Sequence, residues 1–425
     1  MIQRIRESDF IRNILVLFSG SLLSQLIPFF VLPILQRYYY SPADFGLLAV
    51  FISLSELFSS VASGKLEYGI VLQNRERNAI NLFFGALKIV LIVTVISSVL
   101  VLIFRDFIAD YLEAPRLSNY LFLLPAYIIF FSMTDLFSYW FNRKRRFKVI
   151  SFAKLVQTGT SESVKLVSGM LNLGVFGLII GRLSGFIGAV LYYVRTFVKR
   201  DSRALKLLDN NISRETVREN KKFLFFTTPS VFLGNLINVV YLQLFLVYFG
   251  EQMVGMIGVS MTYLSAGFGV VAISFSQVFY SKLAETKSKE HLLHMYIRFA
   301  KNLALIALIP IVVVYLIPGS MVAAILGKQW MELMPIARIM VLWLAAWFVS
   351  SSLSFIFIRL QKQQVLLYYD VLHLVVILAG FFIGRAYSDK MESALWGFSI
   401  ARFIFYIFVI GVAIRMIKRT DESTL

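Results

Sequence analysis

Cysteine is absent from this sequence, and histidine nearly so, with three in 425 residues. The first absence excludes disulfides, thiol catalysis and cysteine metal sites. The second leaves no basis for a histidine-built metal centre, so neither metal nor cofactor is expected. Charge is scarce too: Asp, Glu, Lys and Arg make up 16% of residues, well below the roughly one quarter of soluble domains. Phosphate-binding loops, nucleotide fingerprints and a Ser/His/Asp arrangement in a loop are also missing, so no catalytic residue is expected. Any work must draw on an ion gradient, the membrane potential or the substrate's own gradient. No cleavable leader is expected either, because the first apolar run is long, carries Pro28 and Pro33 and lacks a small-residue cleavage site. It reads as a first span.

What is present is apolar surface and sorted positive charge. Apolar residues are 58% of the chain, mean hydropathy is +0.76 and net charge is +18, and the solvent these values fit is a bilayer. Spans need roughly twenty apolar residues. On that ruler helices are expected near 13–36, 44–63, 80–103, 118–141, 151–170, 174–197, 223–248, 253–280, 292–317, 333–357, 364–385 and 393–414. About thirty-one of the basic residues fall in alternate gaps, which the positive-inside rule places in the cytoplasm with both termini. The outward gaps hold only Arg37, Arg105, Arg116, Lys328, Arg385 and Lys390. Charge sorted in this way beside spans, without a nucleic-acid motif, argues against nucleic acid as a partner.

The longest loop, 198–222, is strongly basic and divides the chain into halves that resemble one another. Tyr39, Gly46, Leu47 and Val50 match Tyr248, Gly255, Met256 and Val259 at one offset. Phe176-Gly177, Arg182 and Arg195 match Trp396-Gly397, Arg402 and Arg415 at another. An even number of helices per half makes the repeat parallel, about an axis along the membrane normal. The expected fold is an all-α integral membrane protein of about twelve spans in two parallel six-helix repeats around a central cavity. Its N-terminal lobe is 1–197, its linker 198–222 and its C-terminal lobe 223–425.

Ionisable groups inside spans are expensive and face a bundle interior or a wet cavity. In the fifth helix Thr158, Ser161, Glu162, Lys165 and Ser168 recur at three- and four-residue spacing, a polar stripe that cannot face lipid. At 1.5 Å per residue Lys165 lies about 21 Å in from the cytoplasmic end, while Arg182 and Arg402 lie about 12 and 14 Å in from the outer ends of helices six and twelve. All three share a level. One reading is packing alone, with Glu162 neutralising Lys165 and both arginines bonded to backbone. The other takes the set together: three cations against one well-placed carboxylate predict a cationic cavity that accepts an anion. Glu162, Glu56 and Asp135 are candidates for proton or sodium coupling, or for partners of basic groups, as is Asp370. Arg338 and Lys88 are near enough to interfaces to snorkel, and His373 reads as a packing residue.

Several segments resemble a known family. Arg12-Asn13, Ser19-Gly20, Gln25, Pro28, Pro33-Ile34-Leu35, Arg37-Tyr38-Tyr39 and Ser41-Pro42-Ala43-Asp44-Phe45-Gly46 are similar to the first helix and following turn of bacterial polysaccharide flippases of the O-antigen type. Gly64-Lys65-Leu66-Glu67-Tyr68-Gly69-Ile70-Val71-Leu72 resembles that family's basic-x-acidic segment, although Gln73 stands where the family usually has proline. Leu326-Gly327-Lys328-Gln329-Trp330 and the run Ser354 to Gln364 resemble its second-half features. The resemblance covers most of the chain. It implies a member of the multidrug/oligosaccharidyl-lipid/polysaccharide exporter superfamily, with Lys65 and Glu67 as a cytoplasmic-side motif. The implied activity is flipping an undecaprenyl-pyrophosphate-linked oligosaccharide across the bacterial inner membrane. The implied partners are that lipid-linked oligosaccharide, membrane lipids, and a polysaccharide polymerase and chain-length protein. Three alternatives stand beside this reading: a cation-coupled drug antiporter, a pathway polymerase or ligase, and a peptidoglycan-precursor flippase. The first helix has no Asp or Glu between Asn13 and Gln36, which counts against the antiporter. Short outward loops count against the enzyme.

Overall fold

The computed structural model describes residues 23–285, 288–360 and 364–420. The start of the first expected helix, with Arg12-Asn13 and Ser19-Gly20, lies outside them, as does Lys362. Among the described residues the regular structure is helical throughout, and each of the twelve expected spans falls on a helix. These are α1 (23–38), α2 (Pro42–Ser59), α3 (Glu76–Tyr111), α4 (Leu124–Arg143), α5 (Phe147–Met170) and α6 (Gly174–Asp201). They continue as α7 (228–249), α8 (251–285), α9 (Lys289–Leu316), α10 (Leu333–Ser352), α11 (Gln364–Tyr387) and α12 (Met391–Arg419). This is a multi-pass membrane protein.

Eight helical runs are long and apolar enough to span by length and composition, or nine when the pair Pro115–Leu121 and Leu124–Arg143, bent by 58°, counts as one. Helix α5 is not among the eight, because its polar stripe lowers its hydropathy. Helices α7 and α8 run on as one apolar stretch except at Gly250, whose φ of 79° and ψ of 175° no side chain tolerates cheaply and which separates them. Expected helix 333–357 stops early: α10 ends at Ser352 and a short helix, Phe355–Arg359, follows. Serines there supply alternative hydrogen bonds to the backbone, as Ser351 does to the Phe348 carbonyl at 3.3 Å.

The chain forms two compact units, residues 1–255 and 256–425. In the first, the aromatic rings of Phe83, Phe137, Trp140, Tyr193 and Phe197 interlock at 5.1–6.2 Å between centroids on α3, α4 and α6. Their edge-to-face and stacked geometry adds to the area they bury. The outer stretch of α3 is different: its apolar window is only 11% buried, as a lipid-facing surface requires. In the second unit α10 is the central helix, its window 72% buried.

Also within the first unit, the starts of α2 and α8 meet backbone to backbone. A Cβ on Gly46 would stand 1.9 Å from the Glu251 carbonyl oxygen, and one on Gly255 would stand 1.8 Å from that of Pro42. Pro42 and Gly46 precede Glu251 and Gly255 by the same offset that the repeat uses. The contact is therefore reciprocal, as two-fold-related segments make it. The last helix pair of each sequence half shows a second correspondence: Gly177 brings α6 against Ser168 of α5, and Gly397 brings α12 against the Gly380 backbone of α11.

Candidate functional site

The polar stripe of α5 faces α6. A Cβ on Gly181 would stand 2.3 Å from Lys165 Cγ, and one on Gly185 would stand 2.6 Å from the Gln157 carbonyl and 2.9 Å from Ser161 Cβ. Glycines on α6 thus let the stripe press onto backbone, and Ser161 and Ser168 are buried. The serines of the stripe are interface residues between neighbouring helices. Tyr40, between α1 and α2, donates its hydroxyl to the Lys165 carbonyl at 2.7 Å and so pins the outer part of α5. Burial, then the neighbouring Asp44, pushes that phenol up to about 12, which keeps it a donor.

Lys165 is placed beside Gly181, the residue that precedes Arg182. Their partners are carboxylates. Lys165 Nζ donates to Glu162 Oε1 at 2.6 Å, one helical turn back. Arg182 Nη2 lies 3.5 Å from Glu56 Oε1 on α2, and both side chains are more than a third exposed. Tyr127 of α4 donates to the same Glu56 oxygen at 3.4 Å, and the Arg182 guanidinium lies 5.3 Å from the centre of the Phe186 ring. The expected ratio of three cations to one carboxylate is corrected here, since Glu56 joins the group from a helix more than a hundred residues away. At 3.5 Å the Arg182–Glu56 contact is looser than the 2.6 Å contact between Lys165 and Glu162.

Arg402 is placed differently. It is 5% exposed, with its guanidinium carbon 3.8 Å from the ring centre of Trp343 on α10, 5.3 Å from Phe398 and 6.0 Å from Tyr406. Its Nη2 donates to the Tyr406 hydroxyl at 3.3 Å. Stacking on an aromatic wall supplies the attraction that water would otherwise give. Nearby, His373 stacks flat on Phe405 at 4.3 Å.

Lys65, in the turn after α2, lies beside Glu67, which opens the short helix Glu67–Leu72. Gly64 and Lys65 both have left-handed backbones, with φ of 63° and 54°, the second a costly conformation for a side-chain-bearing residue. Lys65 Nζ lies 3.3 Å from Glu67 Oε1, both buried, and Ser63 donates its hydroxyl to Glu67 Oε2 at 2.5 Å. Asp135 of α4 is in electrostatic reach of Lys65, Glu67 and Glu56. Beyond this cluster Arg143 donates to the Gln73 carbonyl at 3.0 and 3.2 Å. The departure from proline at position 73 therefore leaves a carbonyl that still fastens this turn to α4. Among the described residues no group of three or more His, Asp or Glu is arranged to hold a metal ion.

Three comparisons bear on this geometry. The model of a family described as polysaccharide biosynthesis protein matches residues 34–335. No curated protein matches the chain. Among solved structures, an inward-facing multidrug resistance MATE family transporter of the MOP superfamily is similar with a TM-score of 0.76 and 17% identity, covering 95% of each chain. The lipid II flippase MurJ in an inward closed conformation gives 0.70 and 15%, over 93% of this chain and 87% of that one. A MOP superfamily transporter from Pyrococcus furiosus, described as having a binding pocket of reverse polarity, gives 0.62 and 16%, over 95% and 96%. At these identities the likeness is one of fold, and the fold is that of membrane transporters.

Proposed function

The chain belongs to the polysaccharide biosynthesis protein family, and from that premise we propose that it is a flippase for an oligosaccharide on an undecaprenyl pyrophosphate carrier. On this reading it is a transporter and not an enzyme. It sits in the bacterial inner membrane with both termini cytoplasmic, and lobes 1–197 and 223–425 alternate access from the cytoplasmic to the periplasmic leaflet around the linker 198–222. The observation that carries the proposal is the loose Arg182–Glu56 pair beside the Lys165–Glu162 pair. A pyrophosphate leaving water needs nearby positive charge to offset its desolvation. A planar guanidinium offers two parallel donors to phosphate oxygens. Arg182 exchanges Glu56 for the pyrophosphate, Lys165 adds charge one helix away, and the freed Glu56 becomes a site for a proton or sodium ion. Glu162 and Asp135 are the further coupling candidates. Arg402 supplies the second lobe's charge at long range from within its aromatic surroundings, and Lys65 and Glu67 set the turn after α2. Polymerase and chain-length proteins are the partners expected in the same membrane.

The test is complementation. Expression in a bacterium lacking its own O-antigen flippase should restore surface polysaccharide, and the same cells should gain no resistance in a matched drug-export assay. Resistance without restored polysaccharide overturns the reading in favour of a drug antiporter.

A further inference from the structure

The second unit holds a cavity of about 700 Å³ where α8 approaches α9, lined by Lys282, His291, His294, Arg298, Phe299 and Asn302 among others. Its volume falls within the ~300–1,000 Å³ usual for small-molecule sites. Helix α9 starts at Lys289, so His291, His294, Arg298 and Asn302 recur at three- and four-residue steps along one face. They form a donor stripe about 16 Å long. Lys282 reaches the same cavity from α8, its ammonium 5.6 Å from the centre of the Phe299 ring. Among the described residues no Asp or Glu lines the cavity, and each described polar side chain on its wall can donate, through ammonium, guanidinium, imidazole or amide N–H groups.

Charge sorting across the membrane explains basic residues at the ends of α8 and α9, and it asks only that they reach the interface. It does not explain why two histidines and an asparagine converge with them on one concavity. We propose that this cavity binds a phosphate or pyrophosphate group. Arg298 presents the bidentate fork, Lys282 the opposing point charge, and the histidines and Asn302 the flanking donors. It is a second anion site, built from residues that the Arg182 and Lys165 cluster does not share. A lipid headgroup at the helix ends and a soluble phosphate anion present the same chemistry to it.

The chain's three histidines make the test site-specific, because two line this cavity and the third, His373, stacks on Phe405. Full-length protein labelled with ¹³C at histidine is titrated with inorganic pyrophosphate in neutral-lipid nanodiscs. It is then placed in nanodiscs containing phosphatidylglycerol. Saturable shifts of the His291 and His294 signals, with His373 still, are expected in one or both arms. Shifts with pyrophosphate alone identify a soluble anion, and shifts with phosphatidylglycerol alone identify a headgroup. Lys282→Gln/Arg298→Gln should weaken the response at least tenfold, while Arg298→Lys, which keeps the charge, should retain much of it and controls for folding. Arg182→Ala should leave these shifts unchanged, which separates this site from the transport proposal. Absence of saturable shifts in both arms, or equal shifts in the double variant, overturns the inference.

Discussion

Arg182 and Arg402 occupy matching positions in the two halves of the sequence, and each has an aromatic residue four positions later, Phe186 and Tyr406. Their surroundings nevertheless differ in kind. Arg182 leans on an accessible carboxylate at 3.5 Å, whereas Arg402 lies on the face of Trp343 at 3.8 Å, inside its unit. A carboxylate partner can be exchanged for another anion at little cost when both groups see water. An aromatic wall cannot be exchanged, and it ties the cation to the packing of α10 and α12. One repeated arginine therefore serves two jobs, and the partner decides which.

The hardest blow to this division is Lys165→Glu, which sets a second carboxylate one turn from buried Glu162. The expected cost is about 3–5 kcal/mol, that of leaving a buried charge without its partner. Transport in the complementation assay should vanish and the purified protein should unfold at markedly lower temperature. Normal transport at normal membrane levels removes the anion mechanism. Next, Arg402→Ala should cost about 2–4 kcal/mol through lost stacking and a cavity beside Trp343. Arg402→Met, which refills the space, should recover most of it. Thermal unfolding reads both variants, and Arg402→Met, which lacks the long-range charge, should lose transport only in small part. Lost transport with unchanged stability would reverse the roles assigned to the two arginines.

Arg182→Ala should do the opposite, changing stability by about 1 kcal/mol or less because its ion pair is accessible while cutting transport more than tenfold. Arg182→Lys keeps the charge without the fork, so transport should fall only in part. Smaller still is Glu162→Gln. It should flatten the dependence of transport on the ion gradient while substrate binding persists, and an unaltered gradient response assigns Glu162 to charge pairing alone. The finest measurement is labelling. In a chain without cysteine, single cysteines at Ser161 and Ser168 should resist a membrane-impermeant thiol reagent because both face α6. A cysteine at Arg182 should react, and the reverse pattern would mean that α5 turns its stripe to water.

Much of this was legible from composition and spacing. Apolar run length against bilayer thickness accounts for the eight or nine runs among the described residues that can span by length and composition, and even the break between α7 and α8 falls in the gap expected between 248 and 253. The stripe on α5 follows from helical period, and the Lys165–Glu162 pair from their three-residue separation, since one turn brings such side chains together. The paired glycines 46 and 255 were visible as a repeat. Their mutual contact was not, because sequence similarity carries no distance.

What the sequence determined by itself is each local, one-dimensional property: the number and length of spans, the faces of single helices and the sign of charge at each end. These depend on a fixed rise per residue and on the cost of polar groups in lipid. Tertiary structure alone decided the partners that come from distant helices. Glu56 reaches Arg182 across a sequence separation of 126, and Trp343 closes on Arg402 from another helix. Glycines of α6 turn the α5 stripe inward. Which of the two arginines meets a carboxylate and which is enclosed by rings depends on how helices cross, and crossing is set by the shapes of whole surfaces. No spacing along one chain segment encodes that.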